Sequence, residues 1–273
     1  MSRGWKAFTV AVVLAVLIIA LTPYLWMFLT SIKTRIDALS GTPVWWFKPT
    51  FEHYPDVFLG EKHFLPLVWN SMIVASVTTL VSLALGAPAA YVFARHNFPG
   101  KEDLYFFFLT TRMAPPISVV VPMFLLFSFV GLTDTRLSVI LAHSSFNISL
   151  VVWTMRGFFT EIPREIDEAA QMDGHTRAGM FFRILLPLTA PGLAATAILC
   201  FILSWNEFLY AFVLVAFESR TLTVGIPGLV TPHGTLWGQV AAVAVVATLP
   251  IIVFTVFVQK HLVRGLTFGA VKG

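Results

Sequence analysis

The stretch EAAQMDGHTRAGMFFRILLPL, residues 168–188, is polar and strongly patterned, yet it lies between long apolar runs. It reads as part of two short helices. Pro163 fits the first turn of the first helix, and Glu161, Glu165, Asp167 and Glu168 place negative charge near the positive end of its dipole. At helical spacing Ile162, Ile166, Ala169 and Ala170 share one face and Glu161, Glu165 and Glu168 another, so this helix is amphipathic. Gly174 supplies its stop, because glycine takes the left-handed C-terminal conformation without steric cost. A second helical stretch is expected over 175–186, with Pro187 marking passage into the next apolar run.

The surroundings of this segment point to lipid. Of 273 residues, 57% are hydrophobic and only 12% charged, whereas soluble domains carry about 25% charged residues. A membrane-crossing helix needs about 20 mostly apolar residues. Six segments read as such: 7–30, 68–94, 104–130, 137–159, 188–217 and 239–259, the third interrupted by Pro115, Pro116 and Pro122. Helix is the expectation for each, because a backbone in hydrocarbon must satisfy its own N–H and C=O groups. The expected fold is an all-α polytopic membrane protein of six transmembrane helices, a single domain over 1–273. The patterned loop 161–187 falls between the fourth and fifth helices, and 31–67 forms an extracytoplasmic segment.

Lys and Arg set the orientation. With both ends cytoplasmic, the inner segments hold Arg3, Lys6, Arg95, Lys101, Arg156, Arg164, Arg177, Arg183, Lys260, Arg264 and Lys272. The outer segments then hold only Lys33, Arg35, Lys48, Lys62, Arg136 and Arg220, the arrangement the positive-inside rule prefers. The same rule accounts for the net charge of +4 without nucleic acid. The first apolar run is longer than a signal-peptide core and lacks a small-x-small cleavage site, so it is read as a retained helix.

The outer segment 31–67 is rich in Pro and aromatics and reads as a folded cap, with Trp45 and Trp46 facing headgroups or a partner. Glycines and prolines in 218–237 prevent a regular helix there, leaving a surface loop or a hairpin. Cys200 is the single cysteine, so no intrachain disulfide forms, and it reads as a small packed residue. Phosphate-loop, zinc-protease and nucleophile-elbow motifs are all absent, so the chain is not expected to be an enzyme.

Two uses fit a short acidic helix pair on the inner side. It lies on the membrane surface, or it is a lever inserted into a cleft of another protein, with adjacent alanines allowing close approach. Surface-lying helices favour Lys and Arg on the polar face, and here that face is acidic.

The residues Glu168-Ala169-Ala170, Gly174, Ile184, Leu186 and Pro187 match EAA-x3-G-x9-I-x-L-P. This resembles the signature of membrane subunits of bacterial ATP-binding-cassette importers. The stretches NSMIVASVTTLVSLALGAPAAYVFARHNFPGK, SWNEFLYAFVL and GLTFGAVKG extend the resemblance to the maltose-permease-like group of the carbohydrate-uptake branch. The resemblance implies a bacterial cytoplasmic (inner) membrane subunit that pairs with a second permease, as a heterodimer. Two ATPase subunits would dock inside and an extracytoplasmic binding protein would deliver a sugar or polyol. Glu168, Ala169, Ala170, Asp173, Gly174, Ile184, Leu186 and Pro187 would form the ATPase-coupling element, and the tail 265–273 would also approach the ATPases. No cofactor is implied for this chain; ATP and Mg serve the partner ATPase.

Polar residues inside the expected spans mark candidate pathway positions, because intramembrane polar groups are costly and face an interior or a cavity. Asn70, Asn147, Trp205, Asn206, Glu207 and Tyr210 are the candidates, with Arg112, His143, Ser71, Ser144 and Ser145 among the other polar residues. Interhelical hydrogen bonding is the commoner explanation for the Ser and Asn residues. Glu207 could accept from a sugar hydroxyl, relay a proton or pair with a neighbour such as Arg112, and the structural pair or hydrogen-bonded role is the favoured reading. The rival reading is an ion-gradient-driven transporter using Glu207, Arg112 or His143, although no inverted repeat is visible.

Overall fold

The computed structural model describes residues 3–232 and 234–268. The chain divides into two compact units, residues 1–66 with 225–250 and residues 67–224 with 251–273.

In the first unit α1 (Arg3–Ser31) is a continuous helix of 29 residues. At about 1.5 Å per residue it exceeds a hydrocarbon core about 30 Å thick. Its most apolar window has no buried residues, which leaves that surface for lipid or a partner. Next come α2 (Arg35–Leu39), capped by Thr34, whose hydroxyl accepts from Asp37 N, and α3 (His53–Phe58). The aromatic segment is folded, as its composition suggests. Lys33 is buried, its ammonium 4.1 Å from the Trp26 ring centroid and 5.4 Å from that of Phe47. Trp45 meets Trp26 edge to face, while Trp46 is fully outward, 94% exposed.

The long helix α4 (Phe64–Arg95) leads into the second unit and ends at a basic residue. The expected third span, 104–130, is not one helix. It is α5 (Lys101–Thr110) and α6 (Pro116–Phe129), separated by a turn. The reason is local: Pro115 and Pro116 lack N–H groups, and a residue before proline is driven out of helical geometry. Pro116 then opens α6, where a missing N–H costs nothing, and Pro122 is carried within it.

Thr135 caps α7 (Arg136–Glu161) by accepting from Ser138 N. Helices α4 and α7 run parallel: Arg136 Nε donates to Asn70 Oδ1 at 2.8 Å near their starts, and Gly86 meets Val151 further along. A Cβ at Gly86 would lie 2.7 Å from the Val151 side chain, so only glycine allows this approach.

The patterned loop follows as α8 (Arg164–Met172) and α9 (Arg177–Met180), then a π-helical turn, Phe181–Leu185, and α10 (Leu186–Leu188). The second stretch, expected as one regular helix over 175–186, therefore starts two residues later and is part π-helical. It bends by 79° into α11 (Ala190–Trp205). The fifth span, expected over 188–217, stops at Trp205 and resumes as α12 (Leu209–Leu214).

Part of the connection 218–237 is regular. One helical turn, α13 (Leu222–Gly225), passes into a 3₁₀ turn, Ile226–Leu229. The strands β1 (Val230–Thr231) and β2 (Gly234–Thr235) then pair antiparallel, a small departure from the all-α expectation. Last is α14 (Trp237–Phe268).

Among the described residues four helices are long and apolar enough to cross a membrane, or five if the bent pair Arg177–Leu188 and Ala190–Trp205 is counted as one span. The protein is thus a helical polytopic membrane protein. In the second unit one core cluster joins Tyr91, Met155, Phe159, Phe181, Leu185 and Cys200, and another joins Val74, Val120, Val139, Tyr210 and Leu214. Helices α7 and α11 pack closely at Gly192, where a Cβ would lie 2.4 Å from Cγ of Phe158.

Gly192→Ala should therefore destabilise the protein by about 1–3 kcal/mol through overpacking. Thermal unfolding in detergent should show a lowered midpoint that Phe158→Leu partly restores. An unchanged midpoint would contradict this close approach.

Candidate functional site

Helix α8 begins directly after Pro163, with Glu165 and Asp167 in its first turn. Its end is a Schellman motif. His175 N donates to Ala170 O and Gly174 N donates to Gln171 O, both at 3.0 Å, and Gly174 has φ +80°. This is the left-handed stop expected from the residue type. Asp173 N closes the last helical turn on Ala169 O, and Thr176 caps α9 by accepting from Gly179 N at 3.1 Å.

The two alanines face different ways. Ala169 is exposed with Glu168, Gln171, Asp173 and Gly174, whereas Ala170 is buried in the core cluster beside Tyr91 and Phe181. Of the two alanines expected to meet a partner, only Ala169 is therefore open to one. Ala170 lets α8 sit close to its own chain. Ile184 and Leu186 pack against the same cluster around fully buried Leu185, and Pro187 is exposed at the bend.

Asp167 does not belong to the exposed acidic row. It is buried and lies 3.0 Å from Arg95 at the end of α4, while Arg95 also donates to Ile162 O at 2.8 Å. The contact is ionic rather than a well-aligned hydrogen bond, since both Asp167 oxygens and Arg95 Nε have no hydrogen-bond partner. One signal was available: Asp167 lies one helical turn before Ala170, on the buried side. Its partner is distant in sequence and was not readable. Beside the pair is a polar cavity of about 240 Å³ between the end of α4, α8 and α9, lined by Tyr91, Arg95, Asp167, Glu168 and Arg177 among others.

The candidate pathway residues separate into ties and open positions. Asn70 is buried and saturated, donating to Glu218 O and Arg220 O and accepting from Arg136. Beside it, Ser71 Oγ accepts from Leu222 N at 2.8 Å. Glu207 pairs with His143, not with Arg112: Glu207 Oε2 lies 3.0 Å from His143 Nε2, whose ring holds Ser204 Oγ at 2.7 Å through Nδ1. The same carboxylate accepts from Tyr210 N and Ala211 N and so caps α12, which explains why the fifth span restarts. Tyr210 is buried against His143 and Phe146, and Trp205 stacks on Phe201 with ring centroids 5.7 Å apart. Asn147 is fully buried with neither amide atom hydrogen-bonded. Asn206 alone among these candidates is exposed, and its amide nitrogen donates to Ile202 O.

In the turn between α6 and α7, Asp134, φ +57°, binds the chain after α12. Its carboxylate accepts from Ala216 N and Phe217 N at 3.0 and 3.1 Å. Burial pushes this carboxyl up, but the backbone donors outweigh it and hold Asp134 below its ordinary value of 3.8.

Residues 82–268, which include the whole patterned loop, match the family described as binding-protein-dependent transport system inner membrane component. The chain belongs to that family. It is a membrane permease of an ATP-binding-cassette importer, distinct from the ATPase. This overturns the ion-gradient alternative. The permease is 40% identical over 260 residues to the trehalose transport system permease protein SugB of Mycobacterium tuberculosis, covering 93% of each chain. It is 35% identical to the trehalose/maltose transport system permease protein MalG of Thermococcus litoralis, covering 94% of this chain and 93% of the relative. A crystal structure of a bacterial ABC transporter involved in the import of the acidic polysaccharide alginate contains a similar chain, with TM-score 0.79 and 25% identity. That match covers 96% of this permease and 99% of that chain. These relatives place the permease in the carbohydrate-uptake group.

Asp167→Ala should leave Arg95 buried and unpaired, a loss of about 3 kcal/mol. A lowered unfolding midpoint checks this, and the double change Arg95→Met with Asp167→Leu should restore most of it. Because the folded pKa of Asp134 is depressed, its contribution is present above the ordinary value of 3.8 and is lost as pH falls through the lower folded value. Hydrogen-exchange protection of the Ala216 and Phe217 amides should fall in that acid window, and Asp134→Asn should remove the dependence.

Proposed function

We propose that this permease conducts a sugar or related polyol and couples closure of two docked ATPase subunits to alternating access. The whole chain acts as one permease domain with six crossings, the third made by α5 and α6 together. Both termini and the loop 161–187 face the cytoplasm, and 31–67 faces outward. A second permease subunit completes a heterodimer, an extracytoplasmic binding protein delivers the solute, and ATP with Mg is used by the ATPases. The relatives named for trehalose and maltose transport support the substrate class.

The observation that carries the coupling role is the construction of α8. Its exposed edge presents Glu168, Ala169, Asp173 and Gly174 to a partner, while Asp167 and Ala170 fasten its other side to Arg95 and the core. A conformational equilibrium shifts only through differential affinity for its two states. A helix so fastened passes displacement at its exposed edge into the end of α4. Ile184, Leu186 and Pro187 form the stiff base at the 79° bend. The tail expected near the ATPases has residues 269–273 outside the described residues. Among the pathway candidates, exposed Asn206 lines the route. Asn70, Trp205, Glu207 and Tyr210 shape its walls, and Asn147 holds an unpartnered amide within them.

Proteoliposomes holding the assembled importer should take up labelled trehalose or maltose only with ATP and binding protein, and uptake without ATP would defeat the reading. Gly174→Pro removes the N–H that closes the Schellman motif and forbids positive φ. It should abolish uptake while ATP hydrolysis persists, whereas Gly174→Asn, which tolerates that conformation, should retain uptake.

A further inference from the structure

With α5 and α6 read together as the third crossing, as proposed above, the turn between them stands at membrane depth. Helix α5 has 10 residues and α6 has 14, about 15 and 21 Å at helical rise. Their junction therefore lies near the middle of a core about 30 Å thick. A second marker agrees. Thr111 Oγ1 lies 2.7 Å from Ser149 Oγ, and Ser149 is halfway along α7, a helix of 26 residues.

Residues 111–115 have no regular helix, and Thr111, Arg112, Met113 and Pro115 are exposed. Irregular backbone at this depth is tolerated only when buried in protein or lining a water-filled cavity. Arg112 sharpens the choice. Among the described residues no acidic side chain pairs with it, and its side chain makes no hydrogen bond. A guanidinium facing lipid at the midplane is costly, and from there its stem is too short to bring the charge to either interface.

We infer that this turn lines the aqueous route, and that Arg112 is a specificity-determining residue that binds two adjacent oxygens of a polyhydroxylated solute. The inference rests on the permease reading above. The planar guanidinium fork presents parallel N–H donors, so it suits a vicinal pair of hydroxyls and binds a sugar carboxylate more strongly. The break supplies the room: an unbroken helix would offer neither the open turn nor the free backbone. Lysine, a point charge without the fork, would serve less well.

Two readouts on the assembled importer test this. In a Cys200→Ala background, Arg112→Cys in nanodiscs should react with a charged methanethiosulfonate at least about tenfold faster than Leu125→Cys, an exposed apolar position on α6. Absence of reaction would overturn the inference and would point to lipid or to the second permease subunit as the group covering Arg112. In proteoliposomes, trehalose and maltose taken up per ATP hydrolysed should fall about tenfold or more in Arg112→Gln, the scale of a lost charged hydrogen bond, with Arg112→Lys intermediate. Equal uptake in all three would also overturn it. Should the unsubstituted importer take up neither sugar, the substrate reading fails, and the labelling result, which needs no solute, decides the place of Arg112.

Discussion

A backbone in hydrocarbon has no water to fall back on, and every departure from helix in this permease is answered by a specific repair. Where α11 stops, the Glu207 carboxylate takes the first amides of α12 and the His143 ring steadies that carboxylate. Where α5 stops, proline removes the donors and Thr111 ties the turn to α7. Where α12 ends, Asp134 accepts the next amides. The breaks are thus built features, each tied by a polar side chain on α7, His143 or Ser149, or in the turn before it, Asp134.

The segment after α7 obeys a related economy. A short helix gains little from its own hydrogen bonds, so α8 owes its placement to what lies behind it. Ala170 brings it close, Asp167 finds Arg95, and Gly174 ends it without strain. The acidic residue that tethers the helix and those that face outward alternate along a single turn. One short sequence therefore carries both a packed face and an exposed one.

Much of this was legible in the linear pattern. The apolar runs gave the existence of α1, α4, α7 and α14, because length and hydropathy leave a spanning segment little choice but helix, while α14 runs on to Phe268, beyond the expected end at 259. Gly174 was read as a left-handed stop from residue type alone, and it is one. The third run showed its prolines but not the outcome, since proline in a membrane helix produces either a kink or a full break depending on what neighbours supply. The restart after Trp205 was not visible either, because the residue that makes it possible, Glu207, takes its identity as a cap from a histidine far earlier in the chain.

The sequence by itself determined the solvent, the family and the glycine stop of α8, since these depend on composition, on spacing and on the conformational freedom of single residues. Only the tertiary structure decided which polar residue meets which. Asp167 reaches Arg95, Glu207 reaches His143 rather than Arg112, and Asn70 gathers the carbonyls of Glu218 and Arg220. Such pairings depend on how helices are rotated and set in depth against one another. Those two coordinates come from the packing of many small contacts, and no single stretch of sequence records them.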